Sequence, residues 1–270
     1  MSYDCNGLNE WLRATDSRLS VLRPNNIELN EFCELLARAF VGTTHTVSEA
    51  SVDHVLGPRK DGSEMYGVVK DEGALADRYA TFAQVATYMY YTSDFVFVLR
   101  DESGEICSAS VMSLRGSNQS GNHFRWMWSL WAMVKVLMRG IPDREMVSRF
   151  SQFGSQHEVK RLLHTQKQPH LYVKAFFTNP EKQGSGYGRQ MLGAVCAAAD
   201  KLGVPCYLEC SSARNKGFYE KSGFAAVESS LTMEIPEGSP FVYEGGVHYM
   251  FRKKAPSSIE IDDRSFFSHK

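Results

Sequence analysis

The 270-residue chain lacks the sequence features of several protein classes. Its six cysteines form no CxxC pair, which predicts neither a disulfide framework nor a zinc site and favours a reducing compartment. The longest apolar run, residues 126–134, is far shorter than the ~20 residues that span a membrane. Residues 1–30 contain no uninterrupted apolar stretch, so no secretory signal is expected. We therefore expect a soluble cytoplasmic protein, with a nuclear location left open.

The chain also has little net charge. Its 30 basic and 31 acidic residues leave −1, so no overall basic field predicts a nucleic-acid partner. Its eight histidines are dispersed without HxH or HxxxH spacing, and no metal is expected. The charge is unevenly spread, because residues 1–121 carry a net −7 and residues 122–170 a net +5. This asymmetry suggests an insertion in the middle of the chain.

Apolar periodicity predicts alternating helices and strands without an internal repeat. Predicted strands cover residues 17–22, 95–100, 106–114, 171–178, 206–210, 231–235 and 247–252, with the second and third forming one hairpin and the last two another. Predicted helices cover residues 29–40, 75–90, 124–138, 146–163, 187–201 and 213–221. The polar tail from about residue 255 to 270 is expected to be loose.

A glycine-rich turn separates the predicted strand 171–178 from the helix that follows it. Its sequence is Gln183-Gly184-Ser185-Gly186-Tyr187-Gly188. Glycines let backbone N–H groups approach a ligand, and a helix start attracts anions, so this turn is typical of a phosphate site. The chain has no P-loop, and the glycine spacing does not fit a dinucleotide-binding fingerprint. The alternative is a strand–helix connection that binds nothing.

Two motifs in the correct order resemble the GNAT superfamily of acetyl-CoA-dependent N-acetyltransferases. The family's Q/R-x-x-G-x-G/A motif is matched by Gln183, Gly186 and Gly188, after a strand-ending Pro180. Its Asn-x-x-x-Tyr-x-x-x-Gly-Phe ending is matched by four residues, namely Asn215, Tyr219, Gly223 and Phe224. The specific resemblance covers residues 171–224, about a fifth of the chain.

The resemblance implies an α/β fold with a central mixed, twisted sheet that is splayed in the middle and flanked by helices. It also implies one domain over residues 1–270, with a helical insertion at about 122–168. Acetyl-CoA would lie in the splay, its pantetheine arm pairing with backbone groups of Phe176, Phe177 and Thr178. Its pyrophosphate would contact the turn and the start of the helix, that is Gln183, Gly184, Ser185, Gly186, Tyr187, Gly188 and Arg189.

The resemblance also assigns candidate chemistry. Tyr219 matches the family tyrosine that protonates the CoA sulfur, and a phenol suits that role near neutral pH. Asn215, four residues earlier, would orient Tyr219 or bond the pantetheine arm, or else cap the helix. Glu209 lies in an apolar strand and is the candidate base, because burial would raise its pKa. A structural ion pair between Glu209 and Lys174 is the equal alternative.

The expected function is acetyl transfer from acetyl-CoA to a primary amine, of a small molecule or a protein, by direct attack. The alternative is a catalytically silent acyl-CoA-binding or interaction module of the same fold. The acidic N-terminal half is interpreted first as a solvated surface and second as an attraction for a cationic acceptor. The segment 124–138 contains Trp126, Trp128 and Trp131. It would pack in the core, form a wall of the acceptor pocket or form a homodimer contact. Docking on a membrane surface is the least favoured role.

Overall fold

The computed structural model describes residues 5–22, 26–43, 50–57, 71–116, 125–211, 213–230 and 247–254. The helices are α1 (Cys5–Thr15), α2 (Asn26–Val41), α3 (Ala50–Leu56), α4 (Glu72–Tyr91), α5 (Arg125–Leu137), α6 (Arg144–Thr165), α7 (Tyr187–Lys201) and α8 (Ala213–Glu220). The strands are β1 (Leu19–Val21), β2 (Phe95–Arg100), β3 (Ile106–Arg115), β4 (His170–Thr178), β5 (Cys206–Cys210), β6 (Ala225–Ser230) and β7 (Val247–Arg252). In these ranges the strands form one mixed sheet in the order β1-β2-β3-β4-β5-β7-β6, which confirms the predicted fold class.

The N-terminal half of the sheet is antiparallel, and β2 and β3 form the predicted hairpin. Their turn is closed by the Asp101 carboxylate, whose Oδ1 accepts hydrogen bonds from the backbone N–H groups of Ser103 (3.0 Å) and Glu105 (3.1 Å). Gly104 follows with a φ of +87°, a conformation that glycine adopts without a steric penalty. Local sequence therefore determines this hairpin.

The sheet opens between β4 and β5. These two parallel strands pair at only three positions, from Leu171 opposite Cys206 to Val173 opposite Leu208. β4 continues to Thr178, while the whole of β5 pairs with β7 on its other side. Beyond Val173, no described strand pairs with this edge of β4. The result is a V-shaped opening, with an edge of β4 available to a ligand along one wall.

A β-bulge at Lys174 exchanges the two faces of β4 at the start of the splay. Val111 pairs with Ala175 and Met112 with Val173, so that Lys174 is the extra residue. Leu171 and Val173 therefore pack in the core beside α1 and α7. Ala175 and Phe177 lie in the opposite core, beside α2 and α4. The bulge directs alternate β4 side chains to new neighbours where a ligand would enter.

Helix α5 follows the β3 strand and is more exposed than core packing would leave it. Only part of the α5 surface is covered, since Ala132 and Val136 are buried. Trp131 is 46% exposed and Leu130 56% exposed. Core packing therefore does not account for the described side chains of this segment, and its packing against a partner subunit stays a prediction. The side chains of Trp126 and Trp128 lie outside the described part of the structure.

The C-terminal strands differ from the predicted hairpin. The strand β7 pairs antiparallel with β6, from Ala225 opposite Phe251 to Ser230 opposite Val247. No strand was predicted from the sequence at residues 225–230. The predicted strand at 231–235 and the predicted tail at 255–270 lie outside the described residues.

Candidate active site

The glycine-rich turn leads into α7 in the geometry of an anion site. Gly184 and Gly186 have φ values of +82° and +85°, where a side chain is strained. Gly186 is the N-cap of α7, and no side chain caps the helix. The first N–H groups of a helix have no intrahelical acceptor, and here those of Tyr187, Gly188 and Arg189 start the helix beside an exposed loop. These groups fit a phosphate.

Gly188 lets α7 approach the end of β4. A Cβ at this position would lie 2.8 Å from the Thr178 Oγ1 and 3.7 Å from the Phe218 ring. A side chain at this position would therefore force a shift of Thr178, which glycine avoids. Close packing thus explains why glycine suits position 188 of the motif, and it brings the helix N-terminus next to Thr178.

An ion-pair group holds the connection between β4 and α7 against the β2–β3 hairpin. The Lys182 Nζ lies 3.0 Å from the Asp101 Oδ2 and 3.1 Å from the Glu105 Oε2. Both contacts raise the pKa of Lys182. The pKa of Asp101 is lowered, first by the hydrogen bond with the Ser103 hydroxyl and then by the one with Lys182. The Asn179 N–H also donates to the Cys107 carbonyl oxygen at 2.8 Å. The residues that lead into the turn are therefore fixed to the β2–β3 hairpin.

The side chains predicted at the end of β4 point to opposite sides. Phe176 packs against Phe218 and Tyr219 of α8, with ring centroids 5.9 and 6.1 Å away. Phe177 packs in the α2 core, 5.9 Å from the Phe32 ring. Phe176 can therefore contact a ligand in the V-shaped opening, whereas Phe177 can offer it only backbone groups.

Tyr219 lies in a buried cluster of aromatic rings next to the opening. It is 8% exposed and contacts Phe218 and Phe224 in edge-to-face arrangements at 5.3 and 5.9 Å. Asn215 lies one helical turn earlier and is partly buried. The packing fixes the Tyr219 ring in position at the wall formed by Phe176, which suits a proton donor to a ligand lying along β4.

Glu209 lies on β5, just beyond the last pair between β4 and β5. Its Oε1 is inaccessible to solvent and has no hydrogen-bond partner in the described part of the chain. Burial raises the pKa of Glu209 to about 8, although a hydrogen bond from Tyr172 opposes that change. Lys174 donates to the Thr92 carbonyl oxygen at 2.7 Å and to the Ser93 Oγ at 3.1 Å. Tyr172 is thus a hydrogen-bond partner of Glu209, while Lys174 also bonds to the segment that follows α4.

Residues of α6 that the sequence did not single out cover the same face of β5. His157 is 4% exposed and packs between Phe153 (4.1 Å) and Tyr249 (5.8 Å). Burial lowers the pKa of His157 to about 4, so its ring is neutral near pH 7. Neither ring nitrogen has a hydrogen-bond partner among the described residues. Helical spacing of His157, Arg161 and His164 was the available signal, but it does not reveal which strand the helix covers.

A cavity of about 1260 Å³ opens beside Glu209. Tyr172, Lys174 and Glu209 lie at its sheet end, and His157 borders it from α6. The structure brings Glu209 and the splay together at one end of this cavity, while Tyr219 and the glycine turn lie on the α7–α8 side of the sheet.

In the described ranges no cluster of three His, Cys, Asp or Glu side chains is arranged to hold a metal ion, and no helix is long and apolar enough to cross a membrane.

Comparison with known proteins identifies the same region. Residues 153–226 match the family model of the acetyltransferase (GNAT) domain. A Corynebacterium glutamicum structure, described as histone acetyltransferase HPA2 and related acetyltransferase, aligns at 16% identity and a TM-score of 0.52, covering 90% of this chain and 99% of that one. An arylalkylamine N-acetyltransferase 2 from Aedes aegypti aligns at 8% identity and a TM-score of 0.49, covering 87% and 98%. The first structure shares the fold, and with the family match it confirms the predicted resemblance.

Proposed function

We propose that this chain, whose residues 153–226 match the acetyltransferase (GNAT) domain, transfers an acetyl group from acetyl-CoA to a primary amine. The observation that carries the proposal is the opening between β4 and β5. One wall is an edge of β4 with which no described strand pairs beyond Val173, and an uncapped helix N-terminus lies at its end. A long ligand with an amide-containing arm and a pyrophosphate fits both features.

The two ends of the cofactor have separate binding groups in this proposal. The pyrophosphate would accept hydrogen bonds from the N–H groups of residues 187–189, helped by the partial positive charge of the α7 N-terminus. The pantetheine amides would pair with the open edge of β4 at Phe176, Phe177 and Thr178. The thioester would then lie in the splay, within the region that Glu209 and Tyr219 border from opposite sides.

The reaction is a direct attack with two proton movements. The amine nitrogen bonds to the acetyl carbonyl carbon, and a backbone N–H on the open edge of β4 stabilises the oxyanion. Glu209 accepts the proton that the amine loses, directly or through water, and its raised pKa of about 8 makes it an adequate base near neutral pH. The carbon–sulfur bond breaks, Tyr219 donates its proton to the leaving sulfur, and solvent restores that proton.

A reducing location accompanies the proposal. The described cysteines Cys33, Cys107, Cys196, Cys206 and Cys210 are buried thiols, and they form no disulfide with one another. Buried thiols that form no disulfide are typical of a reducing compartment such as the cytoplasm.

The test is release of CoA thiol from acetyl-CoA in the presence of a panel of primary amines. We expect thiol release that requires both the protein and an amine, with one acetylated product per thiol by mass spectrometry. The control is Gly186→Glu, which places a carboxylate at the phosphate site. Binding of acetyl-CoA without amine-dependent thiol release across the panel would instead support the silent acyl-CoA-binding module.

A further inference from the structure

The cavity beside Glu209 has walls that differ from its sheet end. Helix α4 contributes Phe82, Tyr88 and Tyr91, and α6 contributes Met146, Phe150 and Phe153. The rings of Tyr88 and Phe150 contact each other edge to face at 6.1 Å. Ligand sites of this kind are lined by apolar and aromatic side chains with a few polar groups that orient the ligand. The volume exceeds what a small polar amine such as methylamine would fill.

Three charged side chains along the walls, Asp94, Glu158 and Lys174, already have partners. The Asp94 Oδ2 accepts a hydrogen bond from the Leu114 N–H at 2.9 Å. The Glu158 carboxylate bonds to the Arg161 guanidinium, and Lys174 bonds to the Thr92 carbonyl oxygen. A second ammonium group on a ligand would therefore either compete with these existing bonds or be buried against apolar side chains, and burial of an unpaired charge is costly.

Two buried polar groups that border the cavity, one on β5 and one on α6, do lack partners within the described ranges. They are the Glu209 Oε1 and the imidazole of His157, which is 4% exposed. A neutral imidazole offers one donor and one acceptor, and a carboxylate accepts only. Buried polar atoms are normally satisfied, so an unpartnered pair bordering one cavity points to a ligand there.

We infer that the cavity takes the acceptor, and that the acceptor is a primary amine on a bulky apolar or aromatic body with a single cationic group. Its nitrogen lies at Glu209, and its body lies between the α4 rings and α6. This inference rests on the proposed acetyl transfer and specifies its acceptor. It disfavours polyamines and lysine-rich peptides, whose further charges would meet the apolar walls.

Hexylamine and hexamethylenediamine form a matched pair for the test, because they differ in the terminal ammonium and share the six-carbon chain. We expect kcat/KM for hexylamine to exceed that for the diamine by roughly tenfold or more, since the diamine must bury a second charge. Along the series from methylamine to hexylamine, kcat/KM should rise about three- to fourfold for each methylene. A preference for the diamine, or no dependence on chain length, would overturn the inference.

Gly154 provides a variant that fills the cavity. It lies on α6 at the cavity, and a Cβ there has nothing within 4 Å, so Gly154→Phe adds volume without a backbone clash. We expect kcat/KM for hexylamine to fall at least tenfold while the KM for acetyl-CoA stays unchanged. The matched control is Gly193→Phe on α7, another exposed helical glycine with open space around its Cβ and no part in the cavity.

The outcomes separate this inference from the proposed function. If none of the amines supports thiol release, the proposed function is contradicted. Thiol release with methylamine or the diamine, but not with hexylamine or phenethylamine, would support acetyl transfer and contradict the apolar acceptor. Equal losses for Gly154→Phe and Gly193→Phe would also contradict the assigned cavity. If Gly154→Phe does not fold, the amine series on the unmodified protein still distinguishes these outcomes.

Discussion

Replacing Glu209 by glutamine should remove a pH dependence from both activity and stability. Glutamine keeps the size of the side chain but does not ionise. With a pKa of about 8, Glu209 is a functioning base only when deprotonated, which holds for about one tenth of molecules at pH 7 and one hundredth at pH 6. The turnover of the natural chain should therefore rise about tenfold per pH unit below pH 8 and then level off.

The effect on stability has a defined sign. The ordinary value for this carboxyl is 4.5 and burial raises it to about 8, so the folded protein holds the proton more tightly than the unfolded chain. Stability contributed by the protonated group is complete below pH 4.5, falls as the pH rises, and is lost above about pH 8. A pKa shift of this size corresponds to about 5 kcal/mol. This figure is an upper limit, because Glu209 as a whole residue is only partly buried and solvent weakens the effect.

The assay measures kcat from pH 6 to 9 with a saturating acceptor that stays neutral over this range, so that protonation of the amine does not contribute. We expect Glu209→Gln to turn over about 100-fold more slowly at pH 8 and to show no acidic limb. Urea unfolding across the same range should show falling stability for the natural chain and a flatter profile for the variant. A natural chain with a flat rate profile below pH 8, or a variant with the same limb, would refute the role of Glu209.

Three further variants test the site and the core. Gly186→Glu should weaken acetyl-CoA binding by tenfold or more in calorimetry, whereas Gly193→Glu on the same helix should bind normally; equal affinities would remove the phosphate site. Tyr219→Phe should lower kcat by about 100-fold with little change in acetyl-CoA affinity or melting temperature, because the ring contacts are kept, and an unchanged kcat would exclude it as the acid. Leu192→Ala should lower the free energy of unfolding by about 3 kcal/mol in urea, because the α7 side chain is fully buried; a loss below 1 kcal/mol would mean that α7 packs loosely on the sheet.

The stretch from the glycine turn to β5 could be predicted from sequence because its signals are local. The glycine turn, the helix after it and the strand that carries Glu209 depend on residues close together in the chain. The path of β4 was less accessible. The extra residue Lys174 reverses its faces, and a period-two pattern alone gives no warning of such a bulge.

Long-range contacts account for what sequence reasoning missed. Tyr172 reaches Glu209 because β4 pairs with β5, and His157 borders the same cavity because α6 packs beside β5; both placements depend on the whole sheet. The exposure of Trp131 was likewise outside the reach of periodicity, since an apolar helix has the same pattern whether or not a neighbour covers it. The pairing of β7 with residues 225–230 was missed because the small and polar residues that predominate there give a weak strand signal.

Titration of the protein with acetyl-CoA, CoA and ATP by calorimetry tests the central claim most directly. The opening between β4 and β5 and the start of α7 predict saturable binding of acetyl-CoA and CoA, because both carry the pantetheine arm and the pyrophosphate. ATP lacks the arm and should bind far more weakly. Absence of acetyl-CoA binding, or equal binding of ATP, would contradict the account.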